Sequence, residues 1–481
     1  MVIAPSRMLR NLQNLISDSC NASGRDASGR DAKGRDAKGR DATGRAPDNQ
    51  RDNDMDRFFG LSAADSSIRQ EVLAGLSTFL TMSFIVAVNP FFLQEAGIPF
   101  EAGFVATILA TAIGTAIMGL WAKWPVAVAP GMGLNAYFAY GLVLGQGFSW
   151  QQALAAVFIA SVLFLLFSLS RLRSWLIGAI PASLGAGITA GIGLFLAMIG
   201  LQGMGLVADD PDTLLRLGDI KAPQLALALL GLLVMAGLAA RGMRGGILIT
   251  ILGLSLVGWA TGLAEFGGIA SAPPVASAAF ALDFSAVTSF AFLSVVFVLF
   301  FLDFFDTTGT LTGIADIAGK RRADGSIENL DRAVLADTGA SVAGSLLGTS
   351  SMTTYLESAT GIRAGGRTGL TALTVAALFL LCLFFQPLFA SIPAFATAPA
   401  LVFVAAGFLA PLGKLDWEDT ATAVPVMLMA VVMPLTFSIA AGIAIGFLAH
   451  VVIRLLAGRS EEINLGTWMI TGFGAIWLAV G

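Results

Sequence analysis

Cysteine, histidine and charged residues are scarce in this chain of 481 residues. Its two cysteines, Cys20 and Cys382, lie in contexts that do not suggest a disulfide pair, and His450 is the single histidine. A disulfide framework, a multi-histidine metal cage and histidine-based catalysis therefore have little support, and we expect neither a metal site nor a cofactor. Charged residues make up 12% of the chain and hydrophobic residues 56%, a balance that excludes an ordinary soluble domain.

The first 57 residues have a different composition from the rest. Gly-Arg pairs recur every five residues from Gly24-Arg25 to Gly44-Arg45, with aspartate between most of them. Near-balanced charge and few core-forming residues predict a disordered, low-complexity tail, and the period of five excludes collagen. The structured domain is therefore predicted to cover residues 58–481. The formal net charge of −4 gives no indication of a nucleic-acid partner, and we expect none.

Apolar runs follow one another from about Arg69 onward, each close to the ~20 residues that cross a hydrocarbon core. Because an open sheet would leave backbone groups unsatisfied in lipid, these runs predict an all-α polytopic membrane protein within the bilayer. Fourteen transmembrane segments are predicted, at residues 72–93, 102–121, 126–145, 150–170, 180–203, 222–240, 244–263, 290–316, 331–347, 350–365, 367–389, 395–412, 418–435 and 437–457. A further apolar stretch at 466–480 is either a short span or an interfacial helix.

The basic residues indicate the orientation, because cytoplasmic loops are enriched in lysine and arginine. With the tail in the cytoplasm and the segments alternating sides, fourteen of the sixteen Lys and Arg residues after Arg69 lie in cytoplasmic loops. Arg216 and Lys221 are the two exceptions, whereas acids such as Glu101 and Glu265 lie in outer loops. A cytoplasmic N-terminus is therefore predicted, in a multi-pass protein of the cell (inner or plasma) membrane.

Two segments rich in glycine, proline and other small residues occupy matching places in the two sets of seven. The third contains Pro125-Val-Ala-Val-Ala-Pro-Gly-Met-Gly-Leu-Asn-Ala-Tyr-Phe138, and the tenth contains Gly344-Ser-Leu-Leu-Gly-Thr-Ser-Ser-Met-Thr-Thr-Tyr-Leu-Glu-Ser358. Such interrupted segments at corresponding places in two halves point to a transporter binding site. Because seven is odd, the halves would have opposite orientations, which predicts a 7+7 inverted repeat with two discontinuous half-helix segments, 3 and 10.

Extended backbone is expected at residues 127–130 and 348–351. Extended residues within a membrane leave backbone groups unsatisfied unless the two stretches face each other or a cavity. The half-helix after each stretch would point its free N–H groups at that cavity. Asn135 and Glu357 would then lie one to two turns into their half-helices, within reach of Asp306 on the eighth segment. A polar ligand is therefore expected between these segments.

The eighth segment places two carboxylates, Asp303 and Asp306, in an otherwise apolar helical run. Residues three apart share a face of a helix, and an ionisable group at membrane depth normally faces a partner, a cavity or a transport path. Two interpretations remain open: the pair braces neighbouring helices, or it forms a substrate and proton site. Asp337, near the start of the ninth segment, is expected to cap or pair locally.

Three long motifs occur in order along the chain, namely Pro130-Gly-Met-Gly-Leu-Asn-Ala-Tyr-Phe138, Phe304-Phe-Asp-Thr-Thr-Gly-Thr-Leu-Thr-Gly313 and Gly348-Thr-Ser-Ser-Met-Thr-Thr-Tyr-Leu-Glu-Ser-Ala-Thr-Gly361. They resemble the adenine/guanine/hypoxanthine permeases, a branch of the nucleobase/ascorbate transporter superfamily. The resemblance covers the chain from about residue 60 onward. It implies proton-coupled import of purine bases by a transporter that is not an enzyme.

The resemblance also implies a division of the transporter domain, usually within a homodimer. The core domain would comprise about residues 70–170 and 288–389, and the gate domain about 171–265 and 390–460. The apolar segment 466–480 is a departure from the family pattern, and it leaves the final topology open. Alternating access would follow from movement of the core against the gate.

In that family, an acid of the eighth segment and a glutamate of the tenth hold the base, and these map onto Asp306 and Glu357. The asparagine of the third segment maps onto Asn135. Thr354 could donate its hydroxyl to substrate or close the start of the half-helix. Phe305 is a candidate for stacking on the base, with ordinary packing as the alternative.

Buried acids without Lys or Arg near the middles of the segments favour a proton or cation partner over an anionic substrate such as sulfate. Glu357, Asp306 or Asp303 would carry the coupled proton, and the sequence does not decide among them. Transport of uracil, xanthine or an organic anion remains open, since only the branch-specific motifs argue against it. A channel would need a continuous polar stripe, and a membrane enzyme would need a nucleophile with a base or a metal constellation.

Overall fold

The computed structural model describes residues 55–170, 181–243, 245–275, 277–322 and 326–480. The predicted disordered tail lies outside the described residues, apart from residues 55–57, which begin a helical turn that extends to residue 59. Helices dominate the described ranges, where two pairs of strands of three or four residues are the exceptions. The prediction of a helical protein is therefore confirmed, with short strands added.

The first half of the chain begins with a broken helix and ends with two antiparallel strands and two further helices. Its elements are α1 (Ile68–Met82), α2 (Ile85–Glu95), α3 (Phe100–Ile117), β1 (Val128–Pro130), α4 (Met132–Ala136), α5 (Trp150–Ser168), α6 (Ala182–Gly203), β2 (Val207–Asp210), β3 (Leu214–Leu217), α7 (Pro223–Ala240) and α8 (Gly246–Ala260). Helices α3 and α4 continue as wider π-helical turns at Met118–Ala122 and Tyr137–Gly145.

The second half begins with a helix of 28 residues. Its elements are α9 (Phe290–Ile317), α10 (Leu330–Leu347), β4 (Met352–Thr354), α11 (Ser358–Arg363), α12 (Gly369–Cys382), α13 (Gln386–Ala390), α14 (Ala394–Phe408), α15 (Thr420–Thr436), α16 (Ile439–Leu456) and α17 (Leu465–Val480). The apolar stretch predicted at 466–480 thus forms the helix α17.

Nine helical stretches within the described ranges are long and apolar enough to cross a membrane, so the chain is a multi-pass membrane protein. Length and composition alone identify fewer spans within the described ranges than the fourteen that the sequence predicts. Helices α8, α15 and α17 are apolar but shorter than 18 residues. Strands β1 and β4 interrupt the third and tenth segments, and α10 is less apolar because it carries Asp331, Arg332 and Asp337.

The strands β1 and β4 pair antiparallel and join the two halves of the chain. Beyond the strands, the backbone N–H of Gly131 donates to the carbonyl of Ser351 at 3.0 Å. The hydroxyl of Tyr355 donates to the carbonyl of Pro130 at 2.7 Å. We call this pairing the β1–β4 crossing. Because backbone groups inside a membrane protein need partners, the pairing allows both segments to be extended at a buried position.

The buried carboxylate of Glu71 fastens α1 to the start of α12. It accepts hydrogen bonds from the backbone N–H groups of Arg367 at 3.0 Å and Thr368 at 3.2 Å, and from the hydroxyl of Thr371. The hydroxyl of Ser66 also donates to it, at 2.6 Å. Four neutral donors therefore satisfy one fully buried carboxylate.

Two methionines of α15 pack between glycines of α6 and α16. A Cβ atom added at Gly191 would lie 2.3 Å from Sδ of Met433, and one added at Gly442 would lie 2.3 Å from Cγ of the same methionine. The neighbouring layer consists of Met429, Gly187 and Gly446. Because small residues let membrane helices approach closely, these three helices form one tightly packed group.

Candidate functional site

The interrupted third and tenth segments meet where β1 pairs with β4. Strand β1 leads into α4, and β4 leads through a short turn into α11. The extended stretch expected at 348–351 becomes a strand only at Met352, because α10 continues to Leu347 and ends at Gly348 in the left-handed conformation (φ 99°). The crossing nevertheless brings residues of both halves to one buried place.

Asn135 lies at the end of the first turn of α4 and is fully buried. Its Oδ1 accepts a hydrogen bond from the hydroxyl of Ser350, whereas its Nδ2 has no partner among the described residues. Helix α2 braces the same loop, because Nδ2 of Asn89 donates to Oγ1 of Thr349 at 3.0 Å. The opposite segment therefore holds Asn135 in place and leaves its amide N–H groups available to a ligand.

Asp337 connects α9, α10 and β4 through hydrogen bonds. It is fully buried and accepts from the hydroxyl of Thr354 at 2.7 Å and from the hydroxyl of Thr307. Thr307 follows Asp306 in α9, and Thr354 is the last residue of β4. The expectation that Asp337 pairs locally is therefore wrong, because both partners belong to other elements. The Thr354 hydroxyl proton is used in this bond.

Asp303 is buried without a hydrogen-bond partner. It is 1% exposed, and neither carboxylate oxygen makes a hydrogen bond of acceptable geometry within the described chain. Ser341 lies nearby, but its hydroxyl donates to the carbonyl of Met352 at 2.8 Å and accepts from the backbone N–H of the same residue at 3.0 Å. Asp337 and Asp306 lie close enough to Asp303 for charges on these carboxyl groups to interact. A bound proton or cation would offset the large cost of burying such a carboxylate.

Asp306 is half-buried and lies beside the crossing. A Cβ atom added at Gly131 would be 3.7 Å from its Oδ2. The hydroxyl of Thr353 also lies next to this carboxylate, although it makes no hydrogen bond of acceptable geometry. Asp306 therefore faces β1 and β4, where the two halves of the chain meet.

Glu357 is half-buried and occupies the position immediately before α11. The expectation that it lies one to two turns into a half-helix is therefore wrong, because the turn after β4 delays the helix start to Ser358. Asp306 and Glu357 are close enough for their charges to act on each other. The two predicted substrate acids are thus brought to one region from different helices.

Several polar groups around this crossing have no partner among the described residues. Asp303, Asp306, Asp337 and Glu357 take part in none of the ion pairs found among the described residues. Buried polar atoms without a hydrogen-bond partner there include Asn135 Nδ2, both oxygens of Asp303, Ser351 Oγ and Thr353 Oγ1. Buried polar atoms are normally paired, so a group of unpaired ones needs an explanation. A polar ligand that donates and accepts hydrogen bonds would supply their partners.

Phe305 faces a different environment from its neighbour Asp306. It lines an apolar crevice of about 20 Å³ with Phe301, Ile188 and Phe447, between α9 and the helices α6 and α16. Its ring centroid lies 6.2 Å from that of Phe301 in a stacked arrangement. A crevice of this size holds about one water molecule, so a planar ligand would fit beside Phe305 only after the crevice widens.

Asp337 and Ser350 are the site residues that the sequence interpretation did not select. A signal for Asp337 was present, because it is an acid in a helix of mainly small and apolar residues, as Asp303 and Asp306 are. Ser350 carries no such signal, since serine is common in turns. Its contact with Asn135 depends on the pairing of two segments far apart in the sequence.

Comparison with known proteins places the chain in a family. The Xan_ur_permease model, described as "Permease family", matches residues 69–445. The chain is 40% identical over 411 residues to adenine permease AdeP of Escherichia coli (strain K12), covering 85% of this chain and 92% of AdeP. It is 41% identical over 415 residues to guanine/hypoxanthine permease PbuO of Bacillus subtilis (strain 168), covering 84% of this chain and 96% of PbuO.

A solved structure has a fold similar to that of this chain. The transmembrane domain of the cyanobacterium bicarbonate transporter BicA aligns with a TM-score of 0.58 at 17% identity, covering 80% of this chain and 97% of that domain. At such low identity the similarity shows the fold alone. The sequence relatives confirm the predicted resemblance to adenine/guanine/hypoxanthine permeases, which are transporters rather than enzymes. The chain therefore belongs to the Xan_ur_permease family of permeases.

Proposed function

We propose that this chain is a secondary-active importer of purine nucleobases, taking adenine, guanine and/or hypoxanthine. The observation that carries the proposal is the group of buried, unpaired polar atoms at the β1–β4 crossing. Relatives named as adenine and guanine/hypoxanthine permeases support the substrate class. A neutral purine has ring N–H and amino donors beside ring-nitrogen or carbonyl acceptors, which suit carboxylates and an amide better than cations.

Three residues would hold the base at the crossing. The half-buried carboxylates of Asp306 and Glu357 accept hydrogen bonds from its N–H groups, and Nδ2 of Asn135 donates to one of its acceptors. Thr354 acts through Asp337, which fixes β4 relative to α9. Phe305 stacks on the base when the crevice beside it widens. This arrangement binds and releases a ligand without covalent chemistry or a cofactor.

A proton is proposed as the coupling ion. Asp303, Asp306, Asp337 and Glu357 lie close together without an ion-pair partner among the described residues. Like charges in a buried site repel each other, so binding a proton there lowers the free energy of the group. A carboxylate that takes a proton from one side and releases it on the other would couple the gradient to import. Asp303, Asp306 and Glu357 remain the candidates for this role.

Alternating access is proposed as the transport mechanism, with fourteen segments in a 7+7 inverted repeat and a homodimer in the inner membrane. The pairing of β1 with β4 supports a core built from both halves. The close packing of α6, α15 and α16 supports a separate gate that moves as a unit. The basic residues of the loops support a cytoplasmic N-terminus.

A transporter of the same fold with another substrate, such as uracil, xanthine or an organic anion, is the alternative. The purine-specific names of the relatives favour the purine. A channel is less well supported, because the four acids without ion-pair partners among the described residues lie at one crossing and the relatives are named as permeases.

The test is uptake of labelled hypoxanthine by cells that lack their own purine permeases, at acidic and neutral outside pH. We expect uptake that rises at acidic pH, stops with a protonophore and is inhibited by excess adenine or guanine. Glu357→Gln and Asp306→Asn should abolish this pattern, whereas Glu461→Gln, at an exposed position outside the crossing, should retain it. Competition by uracil or xanthine alone, or no uptake at verified surface expression, would refute the proposal.

A further inference from the structure

A second cavity, of about 250 Å³, lies between the turn that joins α2 to α3 and the turn that joins α13 to α14. Phe91 and Gln94 face it from α2, Glu101 from the first turn of α3, and Phe389 and Ala390 from α13. Among the described residues, its walls include none of the four acids at the β1–β4 crossing. This cavity is therefore separate from the site described above.

The lining of this cavity combines aromatic rings with unpaired polar groups. Phe91 is half-buried and Phe389 is buried. The carboxylate of Glu101 and the amide of Gln94 are exposed, and neither makes a side-chain hydrogen bond or ion pair within the described chain. The described residues that line the cavity include no lysine or arginine. A planar heterocycle with N–H donors suits these walls, because the rings stack on its faces and the oxygens accept its hydrogen bonds.

Size and charge exclude other ligand classes. The volume lies slightly below the ~300–1,000 Å³ typical of small-molecule pockets, which fits a bare two-ring base better than a nucleotide. The carboxylate of Glu101 would repel an anion. A lipid chain has no hydrogen-bond donor to offer the carboxylate of Glu101 or the amide oxygen of Gln94.

The cavity is connected to the crossing through α2. Ala87 lines the cavity, and two residues later Asn89 donates a hydrogen bond to Thr349 at 3.0 Å. The next residue, Ser350, donates to Asn135 at the crossing. Less than one turn of α2 therefore separates a residue of the cavity wall from the residue that contacts the loop holding Asn135. The charge pattern of the loops assigns Glu101 to the outer side of the membrane.

We propose that this cavity is an outer binding site, where a purine base docks before it moves to the β1–β4 crossing. The inference rests on the proposed function and adds a second, peripheral place for the same class of ligand. The base lies against Phe91 and Phe389, and its N–H groups donate to Glu101 and to the amide oxygen of Gln94. Docking here raises the local concentration of base on the outer side of the crossing.

Uptake kinetics test the outer site with Glu101→Gln and Phe91→Ala, at surface expression matched to the unmodified chain. We expect KM for hypoxanthine to rise about tenfold, which corresponds to the loss of ~1.4 kcal/mol of binding, while the maximal rate is retained. Glu265→Gln, which changes another acid assigned to the outer side, should leave KM unchanged. The Glu101→Gln change is conservative and solvent-exposed, so the test remains valid if Phe91→Ala does not fold.

The outcomes separate the two proposals. Unchanged KM in both variants, with normal uptake by the unmodified chain, would overturn the outer site and leave the proposed function intact. A lower maximal rate at unchanged KM would overturn the outer site as well. No purine uptake by the unmodified chain would refute the proposed function itself.

Thiol labelling tests direct binding at the cavity. Ala390 is exposed at its edge, so Ala390→Cys should react with a membrane-impermeant thiol reagent from outside, and hypoxanthine should slow the reaction. Cys382 is buried, and the unmodified chain measures any background. Protection should persist at the same hypoxanthine concentration when Glu357→Gln is added, because that change affects the crossing only. Loss of protection in the double variant, or no labelling from outside, would overturn the outer site.

Discussion

The carboxylate of Asp337 and the hydroxyl of Thr354 are joined by a hydrogen bond of 2.7 Å between α10 and the last residue of β4. The same carboxylate accepts from Thr307, the residue that follows Asp306. One buried acid therefore connects the helix of Asp306 with the strand that precedes Glu357. The spacing of the two proposed substrate acids depends on this contact.

Removal of the Thr354 hydroxyl should impair both stability and uptake. Thr354→Val keeps the shape of the side chain but leaves an oxygen of Asp337 unpaired, which costs roughly 1–3 kcal/mol. Thr354→Ser retains the donor and should behave like the unmodified protein. Thermal unfolding in detergent and hypoxanthine uptake would measure the two effects. Equal uptake by the valine and serine variants would show that this hydrogen bond does not position β4.

Asp303 and Asp337 should respond in opposite ways to removal of charge. Asp303→Asn loses no hydrogen bond within the described residues and replaces a buried carboxyl group near other acids with a neutral amide, so its unfolding temperature should be equal to or higher than that of the unmodified protein. Asp337→Ala leaves two buried hydroxyls without an acceptor, and its unfolding free energy should fall by about 2 kcal/mol or more. A lower unfolding temperature for Asp303→Asn would contradict the absence of hydrogen bonds to its carboxylate.

Asp303→Asn also tests one candidate for proton coupling. If Asp303 carries the coupled proton, hypoxanthine uptake by this variant should no longer rise between neutral and acidic outside pH and should become insensitive to a protonophore. Glu461→Gln is the matched control, because Glu461 is an exposed acid far along the chain from the crossing. Retained acid stimulation in Asp303→Asn would assign the proton to Asp306 or Glu357.

Glu71 should be essential for stability although it lies outside the substrate site. In Glu71→Ala, the N–H groups of Arg367 and Thr368 and the hydroxyl of Thr371 lose their acceptor. At ~1–3 kcal/mol for each buried unpaired group, we expect little folded protein at the membrane. Glu71→Gln keeps one acceptor oxygen and should give an intermediate yield. Surface expression and thermal unfolding measure this series, and wild-type values for Glu71→Ala would show that these hydrogen bonds do not fasten α1 to α12.

The packing of methionines against glycines predicts that two glycine substitutions in α6 have opposite effects on stability. Gly191→Ala would place a Cβ atom 2.3 Å from Sδ of Met433, which is fully buried and confined on its other side by Gly442. Overpacking of this kind typically costs about 1–3 kcal/mol. Gly185→Ala is the matched control in α6, because no atom lies within 4 Å of its added Cβ. It should keep or raise the unfolding temperature, since alanine favours helix over glycine by ~1 kcal/mol.

Residue chemistry and the family resemblance pointed to several residues that the structure brings to the crossing. Acids in an apolar helix and small residues in two interrupted segments pointed to Asp303, Asp306, Asn135 and Glu357. Asp337 was misjudged because its partners Thr307 and Thr354 lie 30 and 17 positions away. Burial alone could not indicate which neighbour it would meet. That required the positions of α9 and β4 relative to α10.

Local backbone geometry also limited how accurately the segment boundaries could be predicted from the sequence. The strand at Met352–Thr354 begins after residues 348–351, because Gly348 closes α10 before the chain becomes extended. The shift moves Glu357 from the interior of a helix to the position before it. The helices themselves were easier to place, since their long apolar runs are set by membrane thickness and depend little on distant contacts.

The crossing of β1 and β4 also has a consequence for biosynthesis. The Tyr355 hydroxyl and the Pro130 carbonyl that it contacts are separated by 225 positions in the sequence. While the ribosome makes the residues between them, the polar backbone of β1 has no strand to pair with inside the bilayer. The first half must therefore remain near water or near the insertion machinery until the second half arrives. A chain that stops before β4 should be recognised by membrane quality control and degraded.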